Sequence, residues 1–212
     1  MNLDSSKNLG GIGSILLFLG LFPLPLALGP FSLLIAVVGI VLVLVAMKGF
    51  ADNYLESSIF NNALYGVIFA IIGAVIAGVI IVVAAVGFLN ALGFSISNWT
   101  NFTAPQINPQ NIDINTIMTF AVSALAALTV IVVFGLVMAV FIRKSLGLLS
   151  AKTGVSLFGT TGLIILIGAA LTIIVIGLFL LWISLLLLAA AFFSIKMQQK
   201  PSSVPSTNSI QT

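Results

Sequence analysis

A chain of 212 residues that is 61% hydrophobic and 5% charged is excluded from the soluble class, whose domains are about 45–50% apolar and about 25% charged. Cysteine and histidine are both absent, which excludes disulfides, thiol nucleophiles, Cys or His metal ligation and the commonest general base. Seven Lys and Arg against four Asp and Glu give a net charge of +3, and in a membrane chain the positions of those cations matter more than their sum.

The first apolar block runs from Gly10 to Met47 and is interrupted by Pro23, Pro25 and the pair Gly29-Pro30. A straight helix of that length would measure about 57 Å, against a hydrocarbon core of about 30 Å. The chain must turn back, and the Pro/Gly cluster marks the place. The block therefore predicts spans at about 11–22 and 31–47. A signal peptide is the competing reading, with Lys7 as its basic region and Ala27-Leu28-Gly29 as a cleavage site, although Pro30 would hinder cleavage.

Residues 48–62, KGFADNYLESSIFNN, are polar. Lys48, Asp52 and Glu56 stand at i, i+4 and i+8, so one helix would carry all three on one face. That spacing predicts an interfacial helix, with Phe50 and Tyr54 anchored in the headgroups and the charged face open to a cytoplasmic partner. A third span follows at about 63–89. Residues 95–116 then form a polar loop without Lys or Arg, carrying two glycosylation sequons at Asn98 and Asn101. A fourth span is predicted at about 117–142, followed by a connector with Arg143, Lys144 and Lys152.

The last apolar block, Phe158 to Ile195, is again too long for one crossing. It holds no proline, and only Gly168 and Gly177 offer breaks near its middle, so it reads as spans at about 158–174 and 178–195. One long tilted helix after an interfacial segment is the alternative. Residues 196–212, polar and rich in Pro and Ser, read as a disordered cytoplasmic tail after a single domain over 1–195. With six spans, Lys7, Lys48, Arg143, Lys144, Lys152, Lys196 and Lys200 all fall on the cytoplasmic side with both termini, and the loop holding Asn98 and Asn101 falls outside. Five spans would put Lys196 and Lys200 outside. The expected fold is all-α, a polytopic bundle of six spans in three hairpins in the cytoplasmic membrane.

None of Asp4, Asp52, Glu56 and Asp113 lies inside a predicted span, which argues against proton-coupled or ion-driven transport. Ser14, Ser123, Thr129, Thr172 and Ser184 could line an uncharged path, or bond back to their own helices. Gly10-Gly11-Ile12-Gly13-Ser14 lacks G-x-G-x-x-G and a preceding strand, so it reads as close packing and not as a dinucleotide loop. Gly66, Ala70, Ala74 and Gly78 recur every four residues, as do Thr119, Ser123 and Ala127, with Gly135 and Ala139 beyond. Such small-residue stripes predict a seam between spans three and four.

Leu9-Gly10-Gly11-Ile12-Gly13-Ser14, VAMKGFADNYLESSIFNNALYG (45–66), FGTTGLIILIGA (158–169) and AAAFFSIK (189–196) together resemble an archaeal membrane-protein family, domain of unknown function 996. The resemblance spans nearly the whole chain. It implies a cytoplasmic-membrane protein and supplies no activity, ligand or catalytic residue. The expected role is non-enzymatic, structural or interaction-based, with no cofactor, no metal and no nucleic acid. Expected partners are the lipid bilayer and a membrane or cytoplasmic protein or a second copy. The alternative role is a passive channel or transporter for a small or apolar solute.

Overall fold

The computed structural model describes residues 1–21, 31–93, 113–174 and 176–196. They form six α-helices: α1 (Leu3–Gly20), α2 (Phe31–Asn53), α3 (Ser57–Ala91), α4 (Ile114–Thr153), α5 (Ser156–Leu171) and α6 (Ile176–Phe193), with a short 3₁₀ turn, Thr172–Ile174, between the last two. Five of them are long and apolar enough to cross a membrane. The exception is α1, whose first turns carry Asp4, Lys7 and Asn8. The protein is thus an all-α membrane protein. The Pro23–Pro30 region, both sequons and the tail beyond 196 lie outside the described residues.

Consecutive helices pack as antiparallel hairpins, α1 on α2, α3 on α4 and α5 on α6, while α4 also lies along α5. The ring closes through α1 and α6. Trp182 Nε1 donates to the Phe18 carbonyl at 2.9 Å and its indole stacks on the Phe18 ring, and thirteen positions along α6 Lys7 Nζ donates to the Ile195 carbonyl at 2.9 Å. The most lightly packed consecutive pair is α2 and α3.

Helix ends have local causes. Asn2 caps α1, its Oδ1 accepting from the Ser5 N–H at 2.8 Å. Gly154, at φ 73, ends α4, its N–H bonding back to the Ser150 carbonyl. The last block folds as two helices with its turn between Gly168 and Gly177, which rules out one long tilted helix. These two glycines also let α5 and α6 cross closely, since a Cβ on Gly177 would collide with the Gly168 carbonyl.

Three expectations are corrected. Residues 48–62 are no separate interfacial helix: α2 runs on through Lys48 to Asn53, turns at Tyr54–Glu56, and α3 begins at Ser57. Phe50 is not a headgroup anchor but is fully buried, stacked on Phe192 and Tyr54. The loop before α4 is shorter than predicted, because Asn115 and Thr116 already belong to that helix. In the first two cases apolar helical packing extends past Lys48, because the core lies at that end. Phe50, Ile59, Leu146, Leu149, Phe158 and Phe192 are all wholly buried there in one cluster.

Candidate functional site

Six cations gather at this end of the bundle. Lys7 and Lys196 sit at the close of α6, Lys48 beside the α2–α3 turn, and Arg143, Lys144 and Lys152 along the last turns of α4. Asp4, Asp52 and Glu56 share the same end. Lys48 Nζ meets Asp52 Oδ1 at 2.8 Å, the expected i,i+4 pair, with both side chains 56% exposed. Lys48 also lies 5.7 Å from the centre of the Phe60 ring.

Glu56 leaves that face because the helix has ended before it. It reaches Lys152 Nζ at 3.6 Å, which ties the α2–α3 turn to the last turn of α4. Exposed pairs of this kind contribute about 0–1 kcal/mol. Neither Asp52 nor Glu56 bridges to Arg143 or Lys144; Lys144 lies instead over the Phe141 ring at 5.9 Å. A stronger tie went unread in the sequence. Ser145 Oγ, fully buried, donates to the Ile59 carbonyl at 2.5 Å and joins α4 to the start of α3. A serine in an amphipathic run gives no such signal.

The α2–α3 turn is a Schellman cap. The Glu56 N–H bonds to the Ala51 carbonyl and the Leu55 N–H to the Asp52 carbonyl. The residue between must be left-handed, where glycine is usual, but here it is Leu55, at φ 52 and 92% exposed. Beside it the Tyr54 phenol is held above its usual value of 10.0 by burial.

The predicted small-residue seam is only partly where the stripes put it. Gly66 packs on Ile142 and Ala127 is buried, but Ala70 and Ser123 are half-buried, Ala74 is exposed and a Cβ on Gly78 would meet nothing within 4 Å. The buried line on α3 is Ile59, Ala63, Gly66, Gly73 and Ala77, with Gly73 against Phe134. A backbone-on-backbone crossing lies elsewhere, between α1 and α2. A Cβ on Gly13 would stand 2.9 Å from the Gly39 carbonyl, and one on Gly39 would stand 2.8 Å from that of Gly13. Gly10 and Gly11 meanwhile receive the Phe192 and Phe193 rings of α6.

The five hydroxyls that could have lined a path all donate to their own helix backbone. Ser14 bonds to the Gly10 carbonyl, Ser123 to Thr119, Thr129 to Leu125, Thr172 to Gly168 and Ser184 to Leu181, at 2.5–2.9 Å. Ala74 and Gly78 instead border a cleft of ≈ 500 Å³ between α3, α4 and the α5–α6 turn. Its walls are apolar except for Thr172, whose hydroxyl is already bonded.

Residues 35–186 match the family described as "Protein of unknown function (DUF996)". The chain is similar to the uncharacterized protein MJ1644 of Methanocaldococcus jannaschii, with 29% identity over 195 residues, covering 92% of this chain and 94% of that one. No solved structure matches the chain.

Proposed function

This chain belongs to the DUF996 family, and we propose that it is a non-enzymatic protein of the cytoplasmic membrane, an accessory component that docks a partner at its charged end. The observation that carries this reading is Leu55. A non-glycine residue in the left-handed region costs about 1–3 kcal/mol, and here the strained side chain is held 92% exposed between two ion pairs. Packing gains nothing from that arrangement, whereas a contact surface does.

The gathering of six cations at one end supports a cytoplasmic orientation for it. The carboxylates of Asp52 and Glu56 each face a lysine, which supports a binding face over a catalytic pair. The hydroxyls turned back on their own helices speak against a polar route through the bundle. The alternative role, a passive route for a small or apolar solute, has one observation in its favour, the apolar cleft.

Leu55→Gly removes the side chain and the strain together, so the fold is kept. Mass measurement of the complex in mild detergent tests the reading: the wild type carries a distinct protein subunit and the variant loses it. A wild type without a partner, or a variant that keeps one, overturns the docking role.

A further inference from the structure

We infer that α5 and α6 form a re-entrant hairpin, which enters the bilayer from the charged end and turns back near its middle without crossing. This does not rest on the docking role, and it holds on whichever side of the membrane the charged end lies.

Depth follows from register. Gly49 faces Ser6, so Lys7 and Lys48 stand level, and Lys48 reaches over the Phe60 ring. Ser145 donates to the Ile59 carbonyl, which sets Arg143 and Lys144 at the same height. Gly162 of α5 lies against Arg143, where a Cβ would stand 3.2 Å from the Arg143 Cα. This plane of cations belongs at one headgroup level. Measured from it, α3 runs thirty residues from Phe60 to Asn90 and α4 twenty-eight from Arg143 to Asn115, about 45 and 42 Å. A bilayer with its headgroup regions measures about 40–45 Å, so Asn90, Asp113 and Asn115 fall at the opposite headgroups. On α5 only nine residues remain from Gly162 to Leu171, about 14 Å, and the 3₁₀ turn Thr172–Ile174 adds about 6 Å. The hairpin therefore ends about 14–20 Å from the cations, at the centre of the bilayer. Tilting α5 would shorten that reach, not extend it.

The turn has the chemistry that such a depth requires. From Leu163 to Ile183 the only polar side-chain atoms are the Thr172 hydroxyl and Trp182 Nε1, and they donate to the Gly168 and Phe18 carbonyls. Ile173, Ile174 and Ile176 are 61%, 56% and 58% exposed, an apolar tip that suits lipid and not water. The far ends of α3 and α4 carry Asn90, Asp113 and Asn115 instead. Backbone away from water must be satisfied within the protein. Here the Thr172 N–H tightens onto the Ala169 carbonyl, while the Thr172 hydroxyl takes the Gly168 carbonyl. Gly177 lets α6 close against that same carbonyl, and α4 backs the turn.

The test is the depth of a nitroxide attached to single cysteines in the full chain, which has none of its own. Ala151→Cys marks the charged end, Ile174→Cys and Ile176→Cys the turn, and Asn115→Cys the far end of α4, all at exposed positions. In vesicles of dioleoylphosphatidylcholine, collisions with dissolved oxygen, which concentrates at the bilayer centre, are compared with collisions with a water-soluble nickel chelate present on both faces. The labels at Ala151 and Asn115 meet the nickel chelate. Those at Ile174 and Ile176 lose that contact and give the highest oxygen-to-nickel ratios of the four. A label at either turn position that meets nickel as freely as the one at Asn115 overturns the inference, because the hairpin then crosses. So does a label at Asn115 that nickel cannot reach, because the far end of α4 then no longer marks the opposite headgroups.

Discussion

Leu55 and Gly154 hold the same left-handed backbone at the two connectors of the charged end, one with a side chain and one without. Gly154→Ala is expected to destabilise by about 1 kcal/mol, since a Cβ is strained at positive φ. Leu55→Gly is expected to do the opposite by about 1 kcal/mol, which thermal unfolding in detergent reads directly. Gly154 was legible as a helix stop; Leu55 was not, because leucine carries no left-handed preference and only the paired hydrogen bonds of the cap demand it. Tyr54 adds a pH dependence. With its phenol raised in the fold, stability is full below pH 10.0, the unperturbed value, and falls as pH rises toward the folded value, because the unfolded chain loses its proton first. Tyr54→Phe is expected to flatten that alkaline loss.

The α3–α4 seam shows why a four-residue stripe misleads. Each step of four residues advances about 400° around a helix of 3.6 residues per turn, a drift of about 40°. Gly66, Ala70, Ala74 and Gly78 accordingly pass from buried, through half-buried, to open space. The line that stays on the partner, Ile59, Ala63, Gly66, Gly73 and Ala77, advances by four, three, seven and four residues, as a heptad repeat does. Gly73→Leu and Ala127→Leu are therefore expected to lower stability by about 1–3 kcal/mol through overpacking, while Ala74→Leu leaves melting unchanged. Gly13→Leu should cost at least as much as Gly73→Leu, because its neighbour is the Gly39 backbone and not a side chain that can move. That crossing was half-legible: the glycine cluster announced close packing but not its partner.

Across the whole molecule, helix number came from lengths measured against the bilayer, and those lengths could be counted in the sequence. The turn between Gly168 and Gly177 is the clearest case: 38 apolar residues left two short spans or one long tilted helix, and the two glycines marked the place where the chain turns. The core's position could not be counted. It sits at the charged end because α2 and α4 carry apolar faces beyond their last membrane-level cations, so that Phe50, Leu146 and Leu149 meet Phe158 and Phe192 under a charged rim. Membrane placement also follows from length. The 35 residues of α3 and 40 of α4 measure about 53 and 60 Å, so both must tilt or project beyond a core of about 30 Å.

The docking face depends on one claim, that the charged end is cytoplasmic and carries both termini. The chain has no cysteine, so single cysteines at Asn108, at the exposed Ala151 and at Thr207 can be probed with an impermeant thiol reagent on intact cells. The account predicts labelling at position 108 alone, with 151 and 207 reacting only after lysis. Labelling at 207 from outside would contradict it, placing the chain's end on the far side of the membrane.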